Sequence, residues 1–333
     1  MIFIFFFIFK PLKKGESIDN ASMKKALILF FVLSSGLANA QQDPQYSLNM
    51  FNIYSVNPAF SGSYDQFNAL LINRAQWIGF DGGAPVTQHF SVESPVYSLH
   101  GGMGVSLMND KVGNEYTRSL SLSYAYQTKL TKKSELGIGL SLGFIDVGFE
   151  GSWLAPDGST GGNDNAIPAD GSNDVVGDLG LGFYYRMKEF YLGYSVTHLN
   201  QPTAVYGNDD TDFAVKRHHY LTLGWQNEIT PEFILLPSVH VKTDQVSTQL
   251  DFNINANYGD NLWGGMTYRI DDAIVMILGY NINKNLKFGY AYDITISDLK
   301  SESSGSHEIL LRYSFKKKPN GKMPTHYRNI RYN

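Results

Sequence analysis

Among the 333 residues there is no cysteine, which excludes a disulfide scaffold, thiolate metal sites and a cysteine nucleophile. Charged residues are sparse at 17% of the chain, against about 25% in ordinary soluble domains. Positive charge is not in excess: the formal net charge is −4, which gives no support to nucleic-acid binding. No apolar run reaches the ~20 residues that a transmembrane helix needs. What the chain has in quantity is glycine (32 residues) and aromatic side chains (14%). Apolar residues, at 43%, are too plentiful for a disordered chain.

The first forty residues read as an export leader. Met23-Lys24-Lys25 is a short basic start, Ala26 to Leu33 is an unbroken apolar run, and Ala38-Asn39-Ala40 supplies a small-x-small cleavage signature. Residues 23–40 are therefore expected to be a signal peptide, with the mature chain starting near Gln41. Position 41 is not cysteine, so a lipidated amino terminus is not expected. Residues 1–22 open on nine apolar residues, too few to span a bilayer as a helix. They read as an upstream extension with Met23 as the start, the alternative being a hydrophobic anchor. Loss of residues 1–40 removes five Lys and two acids and takes the formal charge from −4 to −7.

The mature chain alternates with period two. In 246–258, Val246, Thr248, Leu250, Phe252, Ile254, Ala256 and Tyr258 oppose Ser247, Gln249, Asp251, Asn253, Asn255 and Asn257. Successive strand side chains point to opposite faces, so one face is apolar and the other polar. Residues 119–129 and 286–297 repeat the pattern. Such alternation suits a soluble sandwich with its apolar face inward, and equally a membrane barrel with its apolar face outward. Length separates the two. Fourteen strands are predicted, at 66–78, 86–95, 101–109, 116–129, 134–147, 175–187, 189–199, 217–229, 232–243, 246–258, 261–270, 272–283, 286–297 and 306–315. Most exceed the ~5–6 residues usual in soluble sheets and match tilted membrane strands of about 9–11. Tight connections such as 187–189 and 258–261 alternate with longer polar ones at 148–174, 200–216 and 298–305, the asymmetry of periplasmic turns and outer loops.

The expected fold is thus all-β, a transmembrane antiparallel β-barrel of about 14 strands, of outer-membrane type. A secreted two-sheet protein is the soluble rival. Barrel residues run from 64 to 315, preceded by a segment, 41–63, rich in Tyr, Phe, Asn and Pro without clean alternation. That segment is too apolar to stay in water and is expected to plug the periplasmic mouth or lumen; an ordinary capping segment is the plainer alternative. Residues 316–333 carry Lys316, Lys317, Lys318, Lys322, Arg328 and Arg331 without an acid, a basic periplasmic tail for an acidic partner or lipid headgroups, or simply a solvated one.

Catalytic motifs are missing. Gly137, Gly139 and Gly143 miss the dinucleotide spacing, and Gly139-Leu140-Ser141-Leu142-Gly143 spells a nucleophile elbow inside a strand rather than at a strand–turn–helix. His218 and His219 are adjacent, so on a strand they face opposite ways and cannot chelate one metal together. Asp157, Asp164, Asp170, Asp174 and Asp178 lie in a polar loop without EF-hand spacing. We expect no enzyme, no cofactor and no metal.

Several blocks resemble the PorP/SprF family in order. They are Asp43-Pro44-Gln45-Tyr46-Ser47, Met50-Phe51-Asn52 and Asn57-Pro58-Ala59-Phe60-Ser61-Gly62, then Arg74-x-Gln76-Trp77-x-Gly79-Phe80-Asp81-Gly82 with Ala84-Pro85 and Thr87. Gly102-x-Gly104-Val105-Ser106 and Asn109-Asp110-Lys111-Val112-Gly113 follow, and Tyr327–Tyr332 is a looser match to the family's basic-aromatic terminus. The close resemblance covers about residues 43–113. It implies an outer-membrane barrel of the type IX secretion and gliding-motility machinery. Members either accompany the secretion complex or hold a secreted surface adhesin by its C-terminal sorting domain. The expected partners are that domain, other type IX secretion components and outer-membrane lipid, with no nucleic acid. A polar lumen lined by Gln249, Asp251, Asn253, Asn255 and Asn257 is the expected partner-binding surface. The alternative function is a passive porin or small-solute uptake channel, which a polar lumen also suits.

Overall fold

The computed structural model describes residues 43–64, 66–80, 83–150, 171–206 and 211–316. The leader, the tail beyond Lys316, Asp81, Gly82 and the aspartates at 157, 164 and 170 lie outside the described residues.

Seventeen strand segments are present: β1 (Gln66–Ala75), β2 (Val86–Val96), β3 (Gly101–Val112), β4 (Glu115–Thr131), β5 (Ser134–Phe149), β6 (Ser172–Met187), β7 (Phe190–Thr197), β8 (Thr203–Tyr206), β9 (Thr211–Ala214), β10 (His218–Trp225), β11 (Asn227–Thr230), β12 (Phe233–Thr243), β13 (Thr248–Tyr258), β14 (Leu262–Arg269), β15 (Ala273–Asn281), β16 (Leu286–Thr295) and β17 (Ser306–Lys316). Neighbours along the chain pair antiparallel from β1 to β7, β10 pairs with both β7 and β12, and the series continues to β17. β17 then pairs with β1 from Gln66↔Lys316 to Ala75↔His307 and closes the sheet on itself. β10 and β11 are one wall strand interrupted at Gln226, since both lie against β12. The wall is therefore a closed antiparallel barrel of fourteen strands, and closure leaves no unpaired edge. Each of these wall strands coincides with one of the fourteen predicted from the period-two pattern.

Outside the wall, β8 and β9 form a separate hairpin, which the sequence analysis leaves within the 200–216 loop. Ala204 and Val215 of this region pack with Ile145 and Val147 from the inner face of β5. The apolar inner positions at that end of β5 are thereby covered.

The side chains sort by parity. Leu71, Phe90, Leu107, Leu120 and Phe144 are cross-strand neighbours over β1 to β5, and all are exposed. A contiguous apolar band of this kind is what lipid covers and water does not tolerate. Two residues further along, the outer face turns polar across the same strands, at Asn73, Gln88, Asn109, Arg118 and Asp146. The apolar band ends there on this flank. Leu142 stands in the band with 64% of its surface exposed. Leu142→Arg is expected to lower barrel stability in vesicles by about 2–4 kcal/mol, read as a drop in the urea midpoint. An unchanged midpoint would place Leu142 outside the hydrocarbon.

Both barrel termini, Gln66 and Lys316, lie at the end with tight turns such as Thr131–Ser134, Met187–Phe190 and Tyr258–Leu262. At the opposite end are the connections after β1, β5, β7 and β16. Not every connection there is long: Gly113, at φ +62, takes the left-handed turn position between β3 and β4. The two ends are called the turn end and the loop end below.

Candidate functional site

The segment 43–64 has too little periodicity for a long helix or strand. It folds as three single turns, Asn49–Phe51, Ile53–Val56 and Pro58–Phe60. The last begins with Pro58, and the Asn57 Oδ1 accepts from the Ala59 N–H at 3.0 Å, an N-cap of the usual kind. The segment threads the lumen from the loop end, where Asp43 lies beside the last residues of β7, to the turn end, where Ser63 meets Arg186 near the end of β6. It thus fills the lumen along its length and is not confined to the periplasmic mouth.

Three layers hold it. At the loop end, Asp43 accepts from Tyr220 Oη at 2.5 Å and Thr197 Oγ1 at 3.1 Å, and its Oδ1 lies 2.8 Å from His198 Nε2. Lys242 Nζ donates to the Asp43 carbonyl at 2.7 Å, and His198 Nδ1 sits 2.9 Å from Asp178 Oδ1. Burial alone raises the Asp43 carboxyl and lowers the His198 imidazole. The surrounding charges and hydrogen bonds reverse both. His198, His218 and Tyr220 hold Asp43 well below the usual carboxylate range, and Asp43 with Asp178 pushes His198 up to about 10.

In the middle layer, Ser47 is enclosed by charge. Its N–H donates to Glu308 Oε2 at 2.7 Å and its hydroxyl to Asp293 Oδ1 at 2.6 Å, while the Leu48 N–H reaches Glu308 Oε1 at 2.9 Å. Arg74 bridges Asp293 (2.8 Å) and Glu308 (3.1 Å), and Arg269 bridges Asp293 (3.0 Å) and Asp251 (3.3 Å). All five charged side chains are at most 2% exposed. Carboxylates buried this deeply need both cations and N–H donors, and the plug supplies the donors that the wall does not. Below this network Leu48, Met50 and Phe51 pack on Leu70, Ile72, Trp263, Val275, Ile277 and Leu310, with the Phe51 and Trp263 rings 4.3 Å apart.

At the turn end, Tyr54 Oη and Ser61 Oγ both meet Ser123 Oγ, at 2.8 and 2.7 Å. Gln127 Nε2 donates to the Ala59 carbonyl at 3.1 Å. The inward glycines of β5 and β6 make room. A Cβ on Gly139 would stand 2.2 Å from the Ala59 nitrogen, and one on Gly182 2.1 Å from Asn57 Oδ1.

Of the lumen residues expected to bind a partner, Asp251, Asn253 and Asn255 face inward and are buried, with Gln249 and Asn257 half-buried at the two ends of β13. Asp251 is engaged by Arg269, by Asn49 Nδ2 at 3.1 Å and by Gln45 Nε2 at 3.4 Å. Asn253 accepts from Thr267 at 2.6 Å, while its Nδ2 and both polar side-chain atoms of Asn255 have no hydrogen-bond partner among the described residues. Among the residues carrying the family resemblance, Asp43, Pro44, Asn57 and Pro58 belong to the plug. Trp77 and Gly79 lie in the β1–β2 loop with positive φ. Asn109 points outward, and Asp110 accepts from Thr87 Oγ1 at 2.6 Å.

The charged partners of Ser47 and the wall partners of Asp43 lie far from them in the chain, beyond any local sequence pattern. One usable signal exists: at Leu70-Leu71-Ile72 and Ile274–Leu278 the alternation fails and both faces are apolar. Those are the wall positions against which the plug packs.

The chain is similar to solved outer-membrane channels. These include the CymD monoaromatic hydrocarbon channel (13% identity, TM-score 0.44, 81% of this chain and 92% of that one) and the Pseudomonas putida toluene transporter TodX (12%, 0.44, 79% and 93%). The KdgM porin is similar at 11% identity and a TM-score of 0.36, over 74% of this chain and 99% of that one. No curated protein matches the sequence. The family model for the type IX secretion system membrane protein PorP/SprF matches residues 38–313. With a closed barrel, a lipid-facing apolar band and that match along most of its length, the chain belongs to the PorP/SprF family of type IX secretion system outer-membrane proteins.

Proposed function

We propose that this barrel is a closed docking platform that anchors a secreted surface protein, held through its C-terminal sorting domain at the loop end and upper lumen. The observation that carries the proposal is the plug. A lumen filled from Asp43 to Ser63 and bonded to strands on every side suits a holder of polypeptide better than a passive porin. We read the role as non-enzymatic, in keeping with a family of secretion-system membrane proteins. A partner segment entering the upper lumen exchanges with Gln45 and Asn49 for Asp251 and finds the unpartnered amide groups of Asn253 and Asn255 below.

The test is affinity purification of the tagged protein from native outer membranes in mild detergent, followed by mass spectrometry. Stoichiometric recovery of one large secreted protein is expected. Recovery of a lone barrel that conducts ions in planar bilayers would overturn the proposal in favour of a channel. Asn253→Leu combined with Asn255→Leu is expected to weaken retention of the partner while the barrel still assembles. Unchanged retention would confine the contact to the loops.

A further inference from the structure

The structure assigns to Asp43, His198 and His218 a site for a divalent transition-metal ion, which we propose staples the tip of the plug to the barrel wall. One carboxylate oxygen and one nitrogen from each imidazole all lie within 4.8 Å of one another. Asp43 Oδ1 is 2.8 Å from His198 Nε2, and Asp43 Oδ2 is 3.8 Å from His218 Nδ1. Ligand atoms around a tetrahedral Zn²⁺ stand about 3.3 Å apart, between these two values. The three ligands come from separate places: the plug, the residue after β7 and the first residue of β10.

The surroundings suit a metal centre as well as the ion pair, and an ion entering would displace the His198 proton. Asp178 Oδ1 lies 2.9 Å from His198 Nδ1, the arrangement that fixes a ligating imidazole's tautomer and aims its other nitrogen at a metal. The Asp43 carboxylate is likewise oriented by hydrogen bonds from Tyr220 and Thr197. Two imidazoles and one carboxylate form a nitrogen-rich set that suits Zn²⁺ and its neighbours and not Ca²⁺ or Mg²⁺, which prefer all-oxygen shells. Three protein ligands leave a fourth position for water. Two factors oppose binding. The Lys242 ammonium bonds the Asp43 carbonyl and places a positive charge beside the ion, which the Asp178 carboxylate behind His198 offsets. His218 already has both ring nitrogens engaged, Nδ1 at 3.0 Å from the Lys216 carbonyl and Nε2 at 3.3 Å from the Asp43 N–H, so the ion must displace one of these bonds. His219, next in sequence, takes no part, because its ring lies on the other face with Tyr194 and Gln245.

The experiment uses the purified mature barrel in detergent, without a polyhistidine tag, stripped with chelator and titrated with Zn²⁺ alone against a chromogenic competitor. One ion per barrel with micromolar or tighter affinity is expected, with the affinity falling by at least about tenfold in His198→Gln and in His218→Gln. His219→Gln is expected to bind like the parent. X-ray absorption of the loaded parent should report two imidazoles and one carboxylate, a readout independent of whether the variants fold. No stoichiometric binding by the parent, stoichiometric binding that survives both His198→Gln and His218→Gln, or a different ligand set would each overturn the site.

Discussion

Arg74→Met is expected to cost the folded barrel about 3–5 kcal/mol, the usual consequence of removing one partner from a buried ion pair. Arg74 is 1% exposed, and its guanidinium bridges Asp293 and Glu308, themselves nearly inaccessible. Methionine fills most of the volume but leaves Glu308 with only the Ser47 and Leu48 N–H groups as partners. Asp293 keeps Arg269. The loss should show as a lower temperature at which the compact, heat-sensitive electrophoretic form disappears. Adding Glu308→Gln removes the stranded charge and keeps one carbonyl for one of the two plug N–H groups that Glu308 accepts, leaving the other unpaired, so the double variant should recover part of the loss. Residues sharing one network are not additive, and the sign of the coupling is the test. A double variant no more stable than Arg74→Met would mean that the Arg74–Glu308 pair is not what holds this layer.

Gly139→Val together with Gly182→Val is expected to expel the lower plug and convert a silent barrel into a conducting one. Valine suits a strand, so the wall itself should form. Inside the lumen, however, a Cβ at either position falls on plug atoms closer than van der Waals contact permits, against the Ala59 nitrogen in one case and Asn57 Oδ1 in the other. The Ala59 backbone cannot yield as a flexible side chain can, the Asn57 side chain can move only by giving up its bond to the Ala59 N–H, and overpacking at one site already costs about 1–3 kcal/mol. Planar-bilayer recording should give discrete steps for the variant where the parent gives none, with the polar inner face of β2, including Thr87, His89, Ser91 and Glu93, bordering the opened path. A variant that folds and stays silent would show that the plug accommodates the added methyl groups.

The wall was legible because a barrel in lipid enforces period two on nearly every strand, and the outer face admits almost no polar residue across its apolar band. Strand ends were less legible. β6 is predicted to start at Val175 but starts at Ser172, because Asn173 and Asp174 are pairing residues that look like loop. The β8–β9 hairpin escaped notice because four residues on each side are too few to display a period, and polar Asn208, Asp209 and Asp210 lie between them. The path of the plug was not legible at all. Its decisive contacts join residues far apart in the chain, Ser47 with Glu308 and Asp43 with His198, and no local pattern encodes such a pairing. His218 and His219 illustrate both sides: parity correctly separates them onto two faces, yet cannot show that His218 faces His198 and Asp43.

The plug runs from loop end to turn end and β1 then runs back, so the segment before β1 lies folded against the inside of the wall it precedes. Its anchoring carboxylates, Asp293 and Glu308, are contributed by β16 and β17, the last strands to be made. The bonds from Ser47 and Leu48 to Glu308 consequently require β17 to be in place. Docking of the Ser47 layer thus depends on the last strands, and a chain lacking β16 and β17 would keep only the plug's contacts to the strands made before them, such as Ser123 of β4, Tyr220 of β10 and Asp251 of β13.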